Sequence, residues 1–210
     1  MNPQTPEQLL ARAYALHDKD EAHSLYREWA RSYDKTMLEG LGYLTPKKTA
    51  ELLAGHVPDH KARILDVGCG TGLAGVELNR LGYRQPDGLD FSPEMLGVAR
   101  SRSIYGHLLQ ADLNAPLELP DESYDALICT GTFTHAHVGA SCLPELFRVL
   151  RREGLFAATV HKDVWESAGF SEMTEQLEKA GTMETVLREL GTYYRDSMEP
   201  EGYYLVWRKQ

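Results

Sequence analysis

Cysteines are scarce in this sequence and long apolar runs are missing, and both features limit the class of protein. Its three cysteines, Cys69, Cys129 and Cys142, are odd in number and show no C-x-x-C spacing, which indicates reduced packing residues rather than disulfides or zinc ligands. No stretch approaches the ~18 unbroken apolar residues of a membrane span. The first residues carry neither the basic patch nor the apolar segment of a secretory signal. We therefore expect a cytoplasmic protein with no membrane partner.

Basic residues are also in deficit. The chain has 22 Lys and Arg against 31 Asp and Glu, a formal net charge of −9, and such a surface repels a polyanion. The densest basic cluster, Arg148, Arg151 and Arg152, falls at the end of a predicted helix, where cations complement the helix dipole. We therefore expect no nucleic-acid partner.

Length and periodicity predict a single α/β domain of two parts. A chain of 210 residues lies within the range of one such domain. Residues 1–44 form the first part, a helical lid, because apolar residues such as Leu9, Leu25 and Trp29 recur at helical spacing and predict a helix over 5–35. Residues 45–210 form the core.

Strand and helix patterns alternate through the core, which predicts a parallel sheet with right-handed crossovers and helices on both faces. The predicted strands are 62–67, 85–89, 107–110, 124–129, 155–160, 185–194 and 202–207. The predicted helices are 45–55, 73–81, 93–103, 141–150 and 171–180. A turn at 196–202 predicts that the last two strands form a hairpin.

The segment with the most functional information is 64–72, ILDVGCGTG. An apolar run that leads into Gly68, Gly70 and Gly72 predicts a strand turning sharply into a helix, the arrangement that cradles nucleotides. Asp90 ends a second apolar segment at about the 20-residue distance where such units place a carboxylate against ribose hydroxyls.

The glycine loop alone does not identify its ligand, since residues 70–75 also satisfy the dinucleotide pattern G-x-G-x-x-G. A further acid in the strand, Asp66, favours a cationic ligand over a pyrophosphate. Asp112 follows the third strand and is suited to accept a hydrogen bond from an adenine amino group. Phe91 and Met95, at the start of the next helix, could sandwich a purine.

Together, segments 64–72, 88–95, 111–113 and 123–130 resemble class I S-adenosylmethionine-dependent methyltransferases over roughly 61–160. The closing pattern is similar, more narrowly, to the methyltransferase-like proteins of the Williams-Beuren syndrome region and their bacterial relatives. Residues 26–34 resemble the YDxWAxxYD helix that many small-molecule methyltransferases fold over the cofactor, although Arg27 stands where that pattern has Asp.

This resemblance implies S-adenosyl-L-methionine as cofactor, S-adenosyl-L-homocysteine as product and a Rossmann-like, seven-stranded, mostly parallel sheet whose last strand is antiparallel. It places Asp66 near the methionine amino group, Asp90 on the ribose and Thr130 behind the methionine portion. The implied cofactor-binding residues are Tyr26, Trp29, Tyr33, Asp66, Gly68, Gly70, Gly72, Leu73, Asp90, Phe91, Met95, Ala111, Asp112, Leu113 and Thr130. Without the resemblance, the three aromatic residues of the lid are ordinary members of an apolar helix face.

The candidate catalytic residue is His135, in the loop after the fourth strand, where an imidazole could accept a proton from the acceptor. A sulfonium methyl group is already activated, so a dedicated base is not a requirement, and His135 and His137 also fit solvated loop positions. His161 is a second candidate of the same kind. With no carboxylate or cysteine at recognisable ligand spacing, these histidines predict no metal site.

The acceptor class is constrained by the loop after the fourth strand. It reads CTGT at 129–132 and lacks the [DN]PPY sequence associated with many nucleic-acid amino-methyltransferases, which favours methylation of O, N or S on a small molecule or a protein side chain. Two other functions stay open: a cofactor-binding protein without catalysis, and a nicotinamide-dependent oxidoreductase. Against the latter, the Tyr-x-x-x-Lys match at 43–47 lies upstream of the glycine loop and contains a proline. The sequence fixes neither the acceptor nor the oligomeric state.

Overall fold

The fold is a seven-stranded sheet with strand order β3-β2-β1-β4-β5-β7-β6. It was obtained as a computed structural model that describes residues 5–15, 19–30, 32–135 and 138–210. The strands are β1 (Ile64–Val67), β2 (Asp87–Asp90), β3 (Leu108–Gln110), β4 (Tyr124–Phe133), β5 (Leu150–His161), β6 (Met183–Gly191) and β7 (Gly202–Lys209). The helices are α1 (Pro6–Tyr14), α2 (Lys19–Trp29), α3 (Thr45–His56), α4 (Leu73–Arg80), α5 (Pro93–Ser101), α6 (Leu143–Val149), α7 (Lys162–Ser167) and α8 (Phe170–Lys179).

Strand direction confirms the predicted Rossmann-like architecture. The pairs β1·β2, β2·β3, β1·β4 and β4·β5 are all parallel, whereas β7 runs antiparallel to both neighbours, β5 and β6. From β1 the chain builds outward to β3 and then returns to the other side of β1 to form β4. The strand order therefore reverses at β1 and β4, which is where open α/β sheets bind ligands.

Both faces of the sheet are buried, as a parallel sheet requires. Ile64 and Ile128 belong to the core on one face, with Leu53 of α3 and Leu78 of α4. On the opposite face Leu65, Leu127 and Val67 pack with apolar residues of α6 and β7. All three cysteines are buried and form no disulfide, as predicted. In the part of the chain that the structure covers, every helix is too short or too polar to traverse a bilayer.

The N-terminal prediction of one helix over 5–35 is wrong in detail. The described residues form α1, α2 and then a π-helical turn at Lys35–Gly40. Gly40 packs against Pro6 so closely that a Cβ at position 40 would lie 2.6 Å from the Pro6 ring. This long-range contact, which periodicity does not encode, folds α1 back on the end of the lid.

Three element boundaries also differ from the predictions. β4 extends to Phe133, because its last residues pair with β5 beyond a register shift. The predicted helix 141–150 ends at Val149, since Leu150 already pairs with Tyr124 at the start of β5. Helix α7, which immediately follows β5, was not predicted.

Candidate active site

A cavity of about 500 Å³ lies at the carboxyl edge of β1, β2, β3 and β4, at the point where the strand order reverses. This volume is within the range of small-ligand and cofactor sites. Among the predicted residues, its wall contains Tyr33, Gly68, Gly70, Leu73, Asp90, Phe91, Met95, Ala111, Asp112, Leu113 and Thr130. Wall residues that sequence reasoning missed include Tyr43, Pro46, Thr71, Gln110, Asn114 and Thr132.

The glycine loop reaches the wall through bare main chain. Gly68 has φ of +66°, and a Cβ there would lie 2.1 Å from the Thr132 hydroxyl oxygen, so both its conformation and its surroundings require glycine. The loop ends at Gly72, which caps α4, and Leu73 begins that helix. A helix N-terminus presents unsatisfied N–H groups, which favour polar or anionic ligand atoms.

Asp90 connects the loop to β2. Its Oδ2 accepts a hydrogen bond from the Gly70 N–H at 2.9 Å, and its Oδ1 accepts one from the Ser92 N–H at 2.9 Å. A carboxylate has about four acceptor positions, so these two bonds leave capacity for ligand hydroxyls at the cavity wall. The position is compatible with the predicted contact to a ribose.

The far end of the wall carries Asp112, whose Oδ1 accepts hydrogen bonds from the backbone and side-chain nitrogens of Asn114, both at 2.9 Å. Phe91 and Met95 contribute apolar surface to the same cavity. A purine ring would therefore find apolar faces and a polar edge in one place, as the sequence predicts.

Asp66 requires a correction, because it is not part of the described cavity wall. It is only 1% exposed, and the Tyr105 hydroxyl donates a hydrogen bond to its Oδ2 at 2.6 Å. Burial is the main cause that raises the pKa of Asp66 to about 7. A position inside the core, on β1 ahead of the loop, does not match the implied contact with a methionine amino group.

Tyr105 explains glycines that the dinucleotide pattern had suggested for another reason. A Cβ at Gly75 would lie 2.3 Å from the Tyr105 hydroxyl, and one at Gly72 or Gly88 would lie 3.0 Å from its ring. These three glycines form a slot for the ring that brings its hydroxyl to Asp66. Gly72 therefore supports the loop from behind and is not part of the described wall, and Gly75 serves packing rather than a pyrophosphate.

The lid contributes one predicted wall residue, Tyr33. Trp29 lies behind it, buried, with its ring edge-on to Tyr33 at 4.9 Å between centroids, so it supports the wall without forming it. The side chain of Tyr26 is outside the described part of the chain. Tyr43, which sequence reasoning considered only as a dehydrogenase residue, lies on the wall, and a Cβ at Gly131 would lie 2.6 Å from its hydroxyl.

His135 lies beyond β4, close to the cavity but not on its described wall. Its ring packs against Tyr14 and His161, with centroid distances of 5.2 and 4.9 Å, and its Nε2 is 3.7 Å from the Asp163 carboxylate. The Asp163 N–H donates a hydrogen bond to Nδ1 of His161 at 3.3 Å, and burial lowers the pKa of His161. His137 falls outside the described residues.

One premise of the metal prediction is wrong. Asp163, at the start of α7, brings a carboxylate to the histidines, so that donor atoms of His135, His161 and Asp163 lie within 4.8 Å of one another. The sequence could not show this, because Asp163 reaches His135 only after β4 and β5 have paired. That the site binds no metal stays a prediction.

Known proteins match this architecture. A family model described as a methyltransferase domain matches residues 65–158. The human methyltransferase-like protein 27 is 32% identical over 178 residues, which cover 82% of this chain and 72% of the human protein. The 18S rRNA (guanine(1575)-N(7))-methyltransferase of Saccharomyces cerevisiae is 42% identical over 65 residues, which cover 31% of this chain and 24% of the yeast protein.

A solved structure shows the same fold over nearly the whole chain. The TehB-like SAM-dependent methyltransferase from Corynebacterium glutamicum superimposes with a TM-score of 0.64 at 19% identity, covering 89% of this chain and 99% of that one. With the glycine cradle and acid-bearing wall in place, these similarities establish that the chain belongs to the S-adenosylmethionine-dependent methyltransferase family and that S-adenosylmethionine is its cofactor.

Proposed function

We propose that this protein transfers the methyl group of S-adenosylmethionine to O, N or S of a small-molecule acceptor. The observation that carries the proposal is the cavity itself. One end combines the glycine cradle with Asp90 and Asp112, and the other end is bounded by Tyr43, Thr132 and Val138. A nucleoside ligand held at the first end would direct its reactive portion toward the second.

In this proposal the main chain of 68–70 follows the cofactor, Asp90 accepts hydrogen bonds from the ribose and Asp112 receives the adenine amino group. Leu73, Phe91, Met95, Ala111 and Leu113 supply apolar contacts, and Thr130 lies behind the methionine portion. The bound cofactor supplies an activated methyl group on a sulfonium. The protein's own tasks are then to align the acceptor and to exclude water.

His135 is the proposed general base. It lies between Thr132 and Val138, which both line the acceptor end of the cavity. As the acceptor atom attacks the methyl carbon, its proton passes to a neutral imidazole nitrogen. Asp163, 3.7 Å from Nε2, would stabilise the resulting imidazolium. No metal is part of this proposal.

Two observations favour a small acceptor over a nucleic acid. The net charge of −9 opposes binding of a polyanion. In the basic cluster, Arg148 donates hydrogen bonds to Glu145, Asp121 and the carbonyls of Leu117 and Leu119, and Arg151 pairs with Asp125 at 2.7 Å. These arginines hold loops to α6 and β4, which is more than the helix-dipole role predicted from sequence. A cytoplasmic location belongs to the same proposal.

The test begins with calorimetric titration of S-adenosylhomocysteine, which must bind. Methyl transfer from labelled S-adenosylmethionine is then measured with a panel of small phenols, amines and thiols, with purified RNA and with protein. Methylated small molecules are the expected product. Label found only in RNA or protein would overturn the acceptor class, and binding without turnover across the whole panel would favour a regulatory protein.

A further inference from the structure

A cluster of three side chains joins the lid to the glycine loop. The Thr71 hydroxyl donates a hydrogen bond to Oδ1 of Asp34 at 2.6 Å, and Arg102 Nε donates one to the Thr71 carbonyl at 2.6 Å. The guanidinium of Arg102 also forms an ion pair with Asp34. We call Asp34, Thr71 and Arg102 the latch. Each comes from a different element, since Asp34 ends the lid before its π-helical turn and Arg102 caps the C-terminus of α5.

The latch controls residues on two sides of the cavity. Thr71 lies on the wall and is 1% exposed, between the glycines that contact the ligand. Tyr33, the neighbour of Asp34, lies on the wall from the lid side. Asp34 and Arg102 are not among the described wall residues, so they act on a ligand only through Tyr33 and Thr71.

The chemistry of the latch suits a contact that must hold and also release. Arg102 uses two edges of its guanidinium for two different partners, which a lysine ammonium on a flexible stem does not reproduce. The Arg102 and Asp34 side chains are 24% and 32% exposed, so their ion pair is less screened than one at the surface but is not sealed in the core.

We infer that Asp34 and Arg102 are positioning residues that hold the lid closed over the bound cofactor and so set its rate of release. Closure of a lid keeps the ligand in place and keeps water out. If the latch breaks, Tyr33 and Thr71 lose their fixed separation and the cavity opens between them. The inference rests on the proposed cofactor cavity, whose own test is binding of S-adenosylhomocysteine to the unmodified protein.

The lid offers a matched control. Arg27 of α2 also pairs with a residue of α5, Glu94, at 3.4 Å, with side chains 61% and 35% exposed. This pair joins the same two parts of the chain, but it does not contact the glycine loop in the described structure. General loosening of the lid and loss of the latch can therefore be separated.

The experiment is stopped-flow measurement of S-adenosylhomocysteine release from Arg102→Met, Asp34→Asn, the double variant and Arg27→Met. Each latch variant should release the ligand at least about tenfold faster, the scale of a lost hydrogen bond to a charged group. The double variant should be little faster than the faster single variant, because both changes remove one shared contact. Arg27→Met should stay within about twofold of the unmodified protein, as expected for an exposed pair.

Two further measurements separate positioning from folding. The thermal midpoint of each ligand-free variant should stay close to that of the unmodified protein, and Arg102→Lys, which keeps the charge, should restore part of the slow release. If Arg102→Met does not fold, the nearly isosteric Asp34→Asn carries the test. Unchanged release in folded latch variants, or equal acceleration by Arg27→Met, would overturn the inference, whereas failure of the unmodified protein to bind would overturn the cofactor cavity instead.

Discussion

The two ends of the cavity are built in different ways. The cofactor end comes from three successive strand-loop units, at 64–72, 87–95 and 108–114, and its contacts span short distances in sequence, such as the 20 residues between Gly70 and Asp90. The acceptor end is assembled from remote segments. There Tyr14 and Tyr194, whose hydroxyls lie 3.1 Å apart, are separated by 180 residues, and Tyr14 also contacts His135 and His161. Local motifs thus determine the cofactor, whereas the whole fold determines the acceptor.

The two ends meet where Gly68 contacts Thr132, and Gly68→Ala should have the largest effect. The new Cβ would lie 2.1 Å from the Thr132 Oγ1 in a backbone conformation with φ of +66°. We expect affinity for S-adenosylhomocysteine to fall by about a thousandfold or more, because loop and β4 cannot both keep their places. Calorimetry measures the loss.

Gly97→Ala is the matched control, since Gly97 lies in α5 with nothing within 4 Å of its Cβ position. It should bind normally and be slightly more stable, because alanine favours helix by about 1 kcal/mol. Adding Thr132→Ala to Gly68→Ala should recover part of the affinity by removing the steric conflict. Normal binding by Gly68→Ala alone would show that the ends are not coupled here.

The same contrast explains which parts could be predicted from sequence. Strand-loop-helix signals correctly indicated the sheet, its antiparallel last strand and the acid-bearing edge, because these signals are local. The missed residues depend on tertiary pairing: Tyr105 reaches Asp66 through a slot of three glycines, and Asp163 reaches His135 across two strands. Gly75 and Gly88 were the visible signal for Tyr105, but a pattern search assigns such glycines to a ligand.

The lid shows the same limit. Its apolar periodicity correctly indicated helix, yet the contact of Pro6 with Gly40 and the hydrogen bonds of Asp34 decide how the helices turn. Asp66 failed for the opposite reason. Its place in the motif was recognised, but burial 1% from complete exclusion of solvent could be known only once Tyr105 had been placed beside it.

His135→Gln should separate the two ends functionally. If His135 accepts the acceptor's proton, kcat should fall about a hundredfold, the lower range for loss of a general base, while affinity for S-adenosylhomocysteine changes little. Steady-state kinetics with an acceptor identified from the panel provide the measurement. His107→Gln is the control, because His107 pairs with Asp87 at 2.9 Å near the start of β2, at the other edge of the sheet. A kcat within about twofold of the unmodified enzyme would remove His135 from the mechanism.

Asp66→Asn should have the smallest effect, and it concerns stability. The folded pKa of about 7 lies above the ordinary value of 3.8, mainly because of burial, so ionisation is harder in the folded protein than in the unfolded chain. Stability of the unmodified protein relative to Asp66→Asn should therefore fall as pH rises from about 4 to 7 and then level off. We expect a change of about 1 to 2 kcal/mol, less than the ~4 kcal/mol that three pKa units would give without relaxation.

Urea unfolding at several pH values provides the measurement, and Tyr105→Phe sharpens it. The Tyr105 hydroxyl donates to Asp66 at 2.6 Å and lowers its pKa, so its removal should make the pH dependence steeper, and Asp66→Asn in that background should abolish the added slope. The acceptor end should behave with the opposite sign. Burial lowers the pKa of His161, so its contribution is lost as pH falls below about 6.5, and His161→Gln should flatten that acidic side. Identical pH profiles for Asp66→Asn and the unmodified protein would mean that the carboxyl ionises as easily at the base of the glycine loop as in water.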